Sequence, residues 1–298
     1  MLLFCLLFAC KPTQTLSFFT IEEAPAPPGT IKIGNNLYVD RAEASNFMYL
    51  EYLAWLNYIY GENSEEYIQA LPKSDIWKKL NSNYANLDSI YLRLPSYSTF
   101  PVVGVSFEQA KKYTKWRSDR VMEVMLRKMG VISKSNTNSK DSIFTIKKYF
   151  NGEYYGIQPD SNFLVYPHFT LPDSTIFKKA SLYAETLFND NLAQCEKKCS
   201  DYFFEINCKE NKKDVSEFFP KGSTPLMSTT CDQCDKELIT HLEGNVREMT
   251  NIEGLFYGTS FLDSCDSPKN TFSKDNQLTN SYTGFRNACE YRKWNYND

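Results

Sequence analysis

The chain has 298 residues, a formal net charge of −3, 20 tyrosines and 21 phenylalanines. A chain of this length can bury a full core without disulfide staples. Its slightly acidic balance excludes the broad electrostatic pull of a nucleic-acid binder, so no nucleic acid is expected as a partner.

Residues 1–10 are an apolar run that is too short to span a bilayer and reads as the core of a signal peptide. Leu7-Phe8-Ala9-Cys10 has the form of a bacterial lipoprotein box. It predicts a signal peptide over residues 1–9 and lipidation of Cys10, with an ordinary cleaved signal as the alternative. Residues 10–28 are expected to be a flexible, lipidated tether. Lys11–Thr15 is polar, and Ala24-Pro25-Ala26-Pro27-Pro28 favours extended polyproline geometry.

From Gly29 to Asp40, alternating apolar residues flank Gly34-Asn35-Asn36 and predict a hairpin. A helix follows, capped by Ser45 or Asn46, with Phe47, Leu50, Leu53 and Ala54 on one face. Residues 60–98 read as an irregular insertion. Pro101–Val105 reads as a short buried strand. Ser106 and Gln109 have the spacing of a capping box, opening a helix to about Leu126 with Phe107, Ala110, Tyr113, Trp116 and Val121 along one stripe. Residues 132–165, rich in Ser, Asn, Lys and Tyr, read as a second insertion. Leu171-Pro172-Asp173 opens a third helix through Ile176, Phe177, Ala180 and Ala184. Residues 190–235 hold most of the cysteines and read as a third insertion. The stretch after Leu238 alternates short strands with Gly and Asn turns. Helices and strands mix without the alternation of a parallel sheet, which predicts an α+β fold in one domain over residues 29–298.

Six separated segments resemble, in order, the motifs of the formylglycine-generating-enzyme (sulfatase-modifying factor) family. They are Pro28–Gly34, Leu37–Asn46, Pro101–Ala110, Phe169–Asp173, Gly244–Met249 and Gly284-Phe285-Arg286. The resemblance implies that family's fold, which is related to C-type lectin-like domains. Tyr91–Tyr97 and Trp116–Val121 are similar to the gliding-motility lipoprotein (GldJ/GldK-like) branch. That branch implies a structural role in type IX secretion and gliding machinery.

The resemblance also sets chemical tests. Active family members hold Cu(I) between two thiolates five positions apart, because soft copper prefers soft ligands. No two cysteines here have that spacing, and the expected segment holds only Cys265. A non-haem iron branch uses several histidines, whereas this chain has only His168 and His241. There is no Gly-rich phosphate loop and no nucleophile elbow. His241 beside Glu243 has the residue types of a general base, or of a structural hydrogen bond.

The seven cysteines after Cys10 are Cys195, Cys199, Cys208, Cys231, Cys234, Cys265 and Cys289. Export favours disulfides among them, with one thiol left over. The family topology implies a Cys265–Cys289 pair. Cys195-x3-Cys199 with Cys231-x2-Cys234 has near-zinc spacing, so a structural zinc is the second reading. The family's calcium site, carried over, would use the carbonyls of Glu243, Gly244 and Val246 with the Glu248 carboxylate. The alternative is that Gly244 and Asn245 make a turn while Glu248 pairs with an arginine. The resulting expectation is a non-catalytic subunit of an outer-membrane protein complex, lipid-anchored on the periplasmic face or the cell surface. An enzyme with remodelled chemistry and a lectin-like ligand-binding module are the alternatives.

Overall fold

The computed structural model describes residues 20–132, 143–159, 164–195, 206–209, 224–229, 238–277 and 279–295, with helical side chains described up to residue 186. Cys10, Cys199, Cys231, Cys234 and the Cys195 side chain lie outside the described parts.

Among the described residues, two four-stranded sheets organise a mixed α+β molecule. In the first, β1 (Thr30–Gly34) and β2 (Leu37–Asp40) form the expected hairpin. The chain's last strand, β8 (Ala288–Lys293), lies between β2 and β3 (Val165–Thr170), antiparallel to both. Asn36 fastens the hairpin turn to β8 by donating to the Tyr291 carbonyl at 2.7 Å and accepting from the Tyr291 amide at 3.0 Å. Pro167 is tolerated because β3 is an edge strand, where a missing N–H costs no ladder bond. The second sheet has the order β6 (Phe272–Lys274), β5 (Leu255–Tyr257), β4 (Arg247–Met249), β7 (Thr283–Gly284), with β4 and β7 parallel.

The helices cover these sheets. Ser45 caps α1 (Asn46–Tyr60) by accepting from the Met48 amide. The buried face of α1 is Tyr49, Tyr52, Leu53 and Leu56, while Phe47 and Ala54 face out, so the predicted face is rotated. The tyrosines win the inside because they pack on Tyr113, Trp116 and each other as edge and stacked rings. Residues 60–98 are not irregular. They carry α2 (Glu65–Ala70), α3 (Ile76–Leu80) and α4 (Leu87–Ile90), pinned by the fully buried Trp77. These helices are too short for a periodic signal. Residues 101–105 are buried as expected but form only an isolated bridge, between Pro101 and Ser45.

The Ser106–Gln109 capping box is present and opens α5 (Phe107–Lys128). This helix crosses β3, where Ser118 Oγ accepts from the Phe169 amide at 2.9 Å. The part of residues 132–165 that is described contributes side chains to the core. It holds α6 (Ile146–Phe150), and Phe144, Tyr149, Phe150 and Tyr154 bury against Met122, Leu126, Tyr166 and Trp294. Asp173 opens α7 (Ser174–Cys195), and Phe177 and Ala180 are fully buried. Residues 24–28 are docked on the domain. Ala24 and Pro27 are buried, and the Pro25 and Pro28 carbonyls accept from Tyr291 and Arg117. A flexible tether therefore cannot extend to residue 28.

Cys265 bonds to Cys208, with Cα atoms 5.1 Å apart, and not to Cys289 as the family topology implied. The reason is placement. Cys265 stands in the loop between β5 and β6 of the second sheet. Cys289 sits on the central strand of the first, buried with Tyr38, Phe169 and Tyr291.

Candidate functional site

Three of the sequence motifs, Leu37–Asn46, Gly244–Met249 and its own, meet at Arg286, whose side chain is fully buried just before β8. Its Nε and Nη2 donate to the two oxygens of Glu248 on β4, each at 2.6 Å, in a bidentate pair. Nη1 donates to the Asp40 carbonyl at 3.1 Å, and Nη2 also donates to the Thr240 carbonyl at 2.8 Å. Burial opposes the charge on Arg286, but Glu248, with Glu43 and Asp40 behind it, raises the guanidinium pKa. One residue thus ties both sheets and the segment before β4 together.

Beside it, Asn245 donates Nδ2 to both carboxylate oxygens of Glu43, at 3.2 and 3.0 Å. Its Oδ1 accepts from Asn207 Nδ2 at 3.1 Å and from the Met227 amide at 2.9 Å. Burial first, and then the nearby Glu248 carboxylate, hold Glu43 well above the usual carboxylate range. Gly244 precedes Asn245 at φ +79°, and a Cβ there would come within 2.7 Å of the Asn207 carbonyl oxygen. The Gly-Asn pair is required by a left-handed backbone and a close approach.

A second ion pair lies across the first sheet. Arg117 Nη1 donates to Asp40 Oδ2 at 2.7 Å, and its guanidinium stacks 4.3 Å from the Phe169 ring centre. Asp40 Oδ2 also accepts from the Asn287 amide and side chain. Asp40 Oδ1 and Asn287 Oδ1 are buried without a partner among the described residues. The sequence motifs do not single out Arg117, Asn207 or Asn287 as site residues. For Arg117 a signal existed, because a cation interrupts an aromatic helical stripe while an aspartate ends the preceding strand.

The other candidate chemistry is dispersed. His241 is neutral near pH 7, because burial first and then Arg286 lower its pKa to about 4. Its Nε2 lies 3.0 Å from the Ser228 carbonyl, which only accepts, so Nε2 carries the proton. Glu243 accepts from the Asn270 amide at 2.6 Å and does not form the bond to His241 that a base pair needs. The Cys289 thiol is pushed far up by burial.

The placement of these residues also bears on metals. The Glu248 carboxylate proposed for calcium gives both oxygens to Arg286, so an ion there would sit against a guanidinium. As arranged, this set does not fit a calcium site. Cys265 in its disulfide and Cys289 in the other sheet do not form a thiolate pair suited to Cu(I). The cysteines of the zinc reading lie outside the described side chains.

An open cleft of about 420 Å³ lies over the β2–α1 connection, lined by Arg41, Ala42, Phe47, Met48, Ser98 and Thr229 among others. Asp40 and Glu43 border it but are spent inward, on Arg117 and Asn245.

No family model matches the chain, and no curated protein matches it. Among solved structures, the crystal structure of CarF shares 14% identity over 87% of each chain, with a TM-score of 0.35. A likeness that weak carries no argument about fold or function. The chain is thus described by its own geometry: an α+β molecule whose motif residues meet in one buried polar hub.

Proposed function

We propose that this chain is a non-catalytic structural or interaction subunit of an outer-membrane assembly, anchored through a lipidated Cys10. Type IX secretion or gliding machinery is the first candidate, on the sequence resemblance alone. The observation that carries the reading is that six buried polar residues of the family-like motifs are consumed within the fold. Arg286 with Glu248, Arg117 with Asp40, and Asn245 with Glu43 bond to one another in the interior. Catalysis needs a nucleophile, acid or base presented to a substrate at hydrogen-bond reach. A hub that binds its own charges serves the fold instead.

Two experiments test it. In native membranes, the tagged full chain is cross-linked and purified, and a stoichiometric set of envelope proteins is expected. Recovery of the chain alone would remove the assembly role. Separately, the purified chain is incubated with Cu(I), oxygen and a Cys-x-Pro-x-Arg peptide. No aldehyde is expected, and an aldehyde above the level of a Cys265→Ser control would overturn the non-catalytic reading.

A further inference from the structure

Two separate pieces of chain grip the backbone of Asn245. One is the segment 206–209. The Asn207 carbonyl accepts from the Asn245 amide at 2.9 Å, and Asn207 Nδ2 donates to Asn245 Oδ1 at 3.1 Å. The other is the loop between β5 and β6, where the Phe261 amide donates to the Asn245 carbonyl at 3.0 Å. The Cys208–Cys265 disulfide joins these two pieces, directly beside Asn207. Next to it the Lys209 amide donates to the Asp263 carbonyl at 2.8 Å. The bond therefore closes a ring of contacts around the residue that holds Glu43.

The two sulfurs are unequally placed. Cys208 is buried, whereas Cys265 is partly exposed in its loop. A thiolate arriving from solvent therefore meets Cys265 first, and which sulfur is attacked decides the course of exchange. Cys208 Sγ lies 3.1 Å from the Ile206 carbonyl, so a thiol at Cys208 has an acceptor already in place. Among the described cysteines the free thiol is Cys289, and it is buried in the first sheet with Tyr38 and Tyr291. It is not placed to attack the bond from within.

We propose that the Cys208–Cys265 bond is a redox latch on the hub, opened by an external dithiol. One thiolate of the dithiol attacks Cys265 Sγ, the S–S bond breaks, and Cys208 leaves as a thiolate that takes up a proton. The second thiolate of the dithiol then attacks the mixed disulfide and releases Cys265. Two electrons pass to the protein, its two new thiols carry the two protons of the dithiol, and the dithiol leaves as a disulfide. With the bond gone, the segment 206–209 is held only by packing and by hydrogen bonds that water can replace. Loss of the Asn207 bonds loosens the turn 244–246, whose Asn245 side chain and Val246 amide both donate to Glu43. The first sheet, which is built from other segments, stays folded. This latch requires neither the lipid anchor nor the assembly role.

The test uses the purified full-length chain in native buffer with dithiothreitol. Alkylation by iodoacetamide and peptide mass spectrometry should find Cys265 labelled, and Cys289 unlabelled until denaturant is added. Hydrogen exchange over residues 244–246 should speed up by about tenfold, as local opening without global unfolding requires, while residues 166–169 of β3 keep their rate. Cys208→Ala combined with Cys265→Ala should show the fast exchange without reductant and no further change with it, which separates this bond from the other cysteines. The proposal is overturned if Cys265 resists reduction in the folded chain, if residues 244–246 keep their rate after reduction, or if both regions speed up equally. Loss of the native circular dichroism spectrum in the double variant would also overturn it, because the bond would then be a requirement of the fold rather than a latch.

Discussion

The polar hub around Arg286 and the aromatic cluster around Phe150 are both interior, and they are held by opposite means. In the hub, polar groups are buried and bonded to specific partners: Glu248 bidentate on Arg286, Asn245 on Glu43. In the cluster, Phe150 stacks on Trp294 with ring centres 5.1 Å apart, and Phe144, Tyr149 and Tyr154 fill the space beneath α5. The hub demands particular residues at particular angles, because a lone buried charge is costly. The cluster demands only volume and ring shape. This difference explains why the hub is built from recognisable motifs while the cluster comes from a stretch whose composition looks like an insertion.

The contrast can be broken by mutation. Arg286→Leu should cause the largest loss, about 3–5 kcal/mol, because it leaves Glu248 buried without its cation. Adding Glu248→Leu should recover part of that loss, since the uncompensated charge then disappears. Urea unfolding of the two single variants and the double variant measures the coupling, and purely additive losses would mean that the pair does not act as a unit.

The hub should also respond to pH. His241 has a folded pKa of about 4, against about 6.5 unfolded. Between those values the unfolded chain binds the extra proton, so stability should fall as pH drops from about 6.5 to 4 and then level off. The effect should be on the order of 1–3 kcal/mol, since the ring keeps some exposure to solvent. Glu43 has the opposite sign. Its raised pKa favours folding at low pH, and that contribution is lost as pH rises. His241→Asn tolerates the left-handed backbone at φ 52° and isolates the histidine. An unchanged acid slope in this variant would remove His241 as the cause.

In the aromatic cluster, Phe150→Leu should cost about 1–2 kcal/mol, from lost stacking and a small void. It should show no pH dependence beyond that of the parent. Smallest is Ser106→Ala, which removes the side-chain half of the capping box at the start of α5, at about 1 kcal/mol. Thermal denaturation at two pH values separates these shape and cap effects from the charge effects of the hub.

Local sequence alone was enough for the features with short-range causes. The β1–β2 hairpin follows from alternation about a polar turn. The caps at Ser45, Ser106 and Asp173 follow from hydroxyl or carboxylate groups placed to meet free helix amides. Phe177 and Ala180 follow from helical spacing on α7. The Gly244-Asn245 turn, and the possibility that Glu248 meets an arginine, were also legible, because glycine and a buried-type acid leave few alternatives.

Tertiary structure decided the rest. Helical spacing puts Phe47 on the inner face of α1, but Tyr49 and Tyr52 are buried instead, because three tyrosines and a tryptophan from two helices pack together. The partner of Cys265 was decided by which sheet each cysteine occupies, a matter of chain crossing that spacing cannot encode. Asp40 and Arg117, 77 positions apart, meet only because α5 crosses the first sheet. Phe144, Ile146, Tyr149, Phe150 and Tyr154 joined the core because α5 and the end of β8 present an apolar surface that composition does not reveal. Sequence reports what each segment prefers over a few residues. Which preferences prevail depends on the surface each segment finds, and long-range packing supplies that surface.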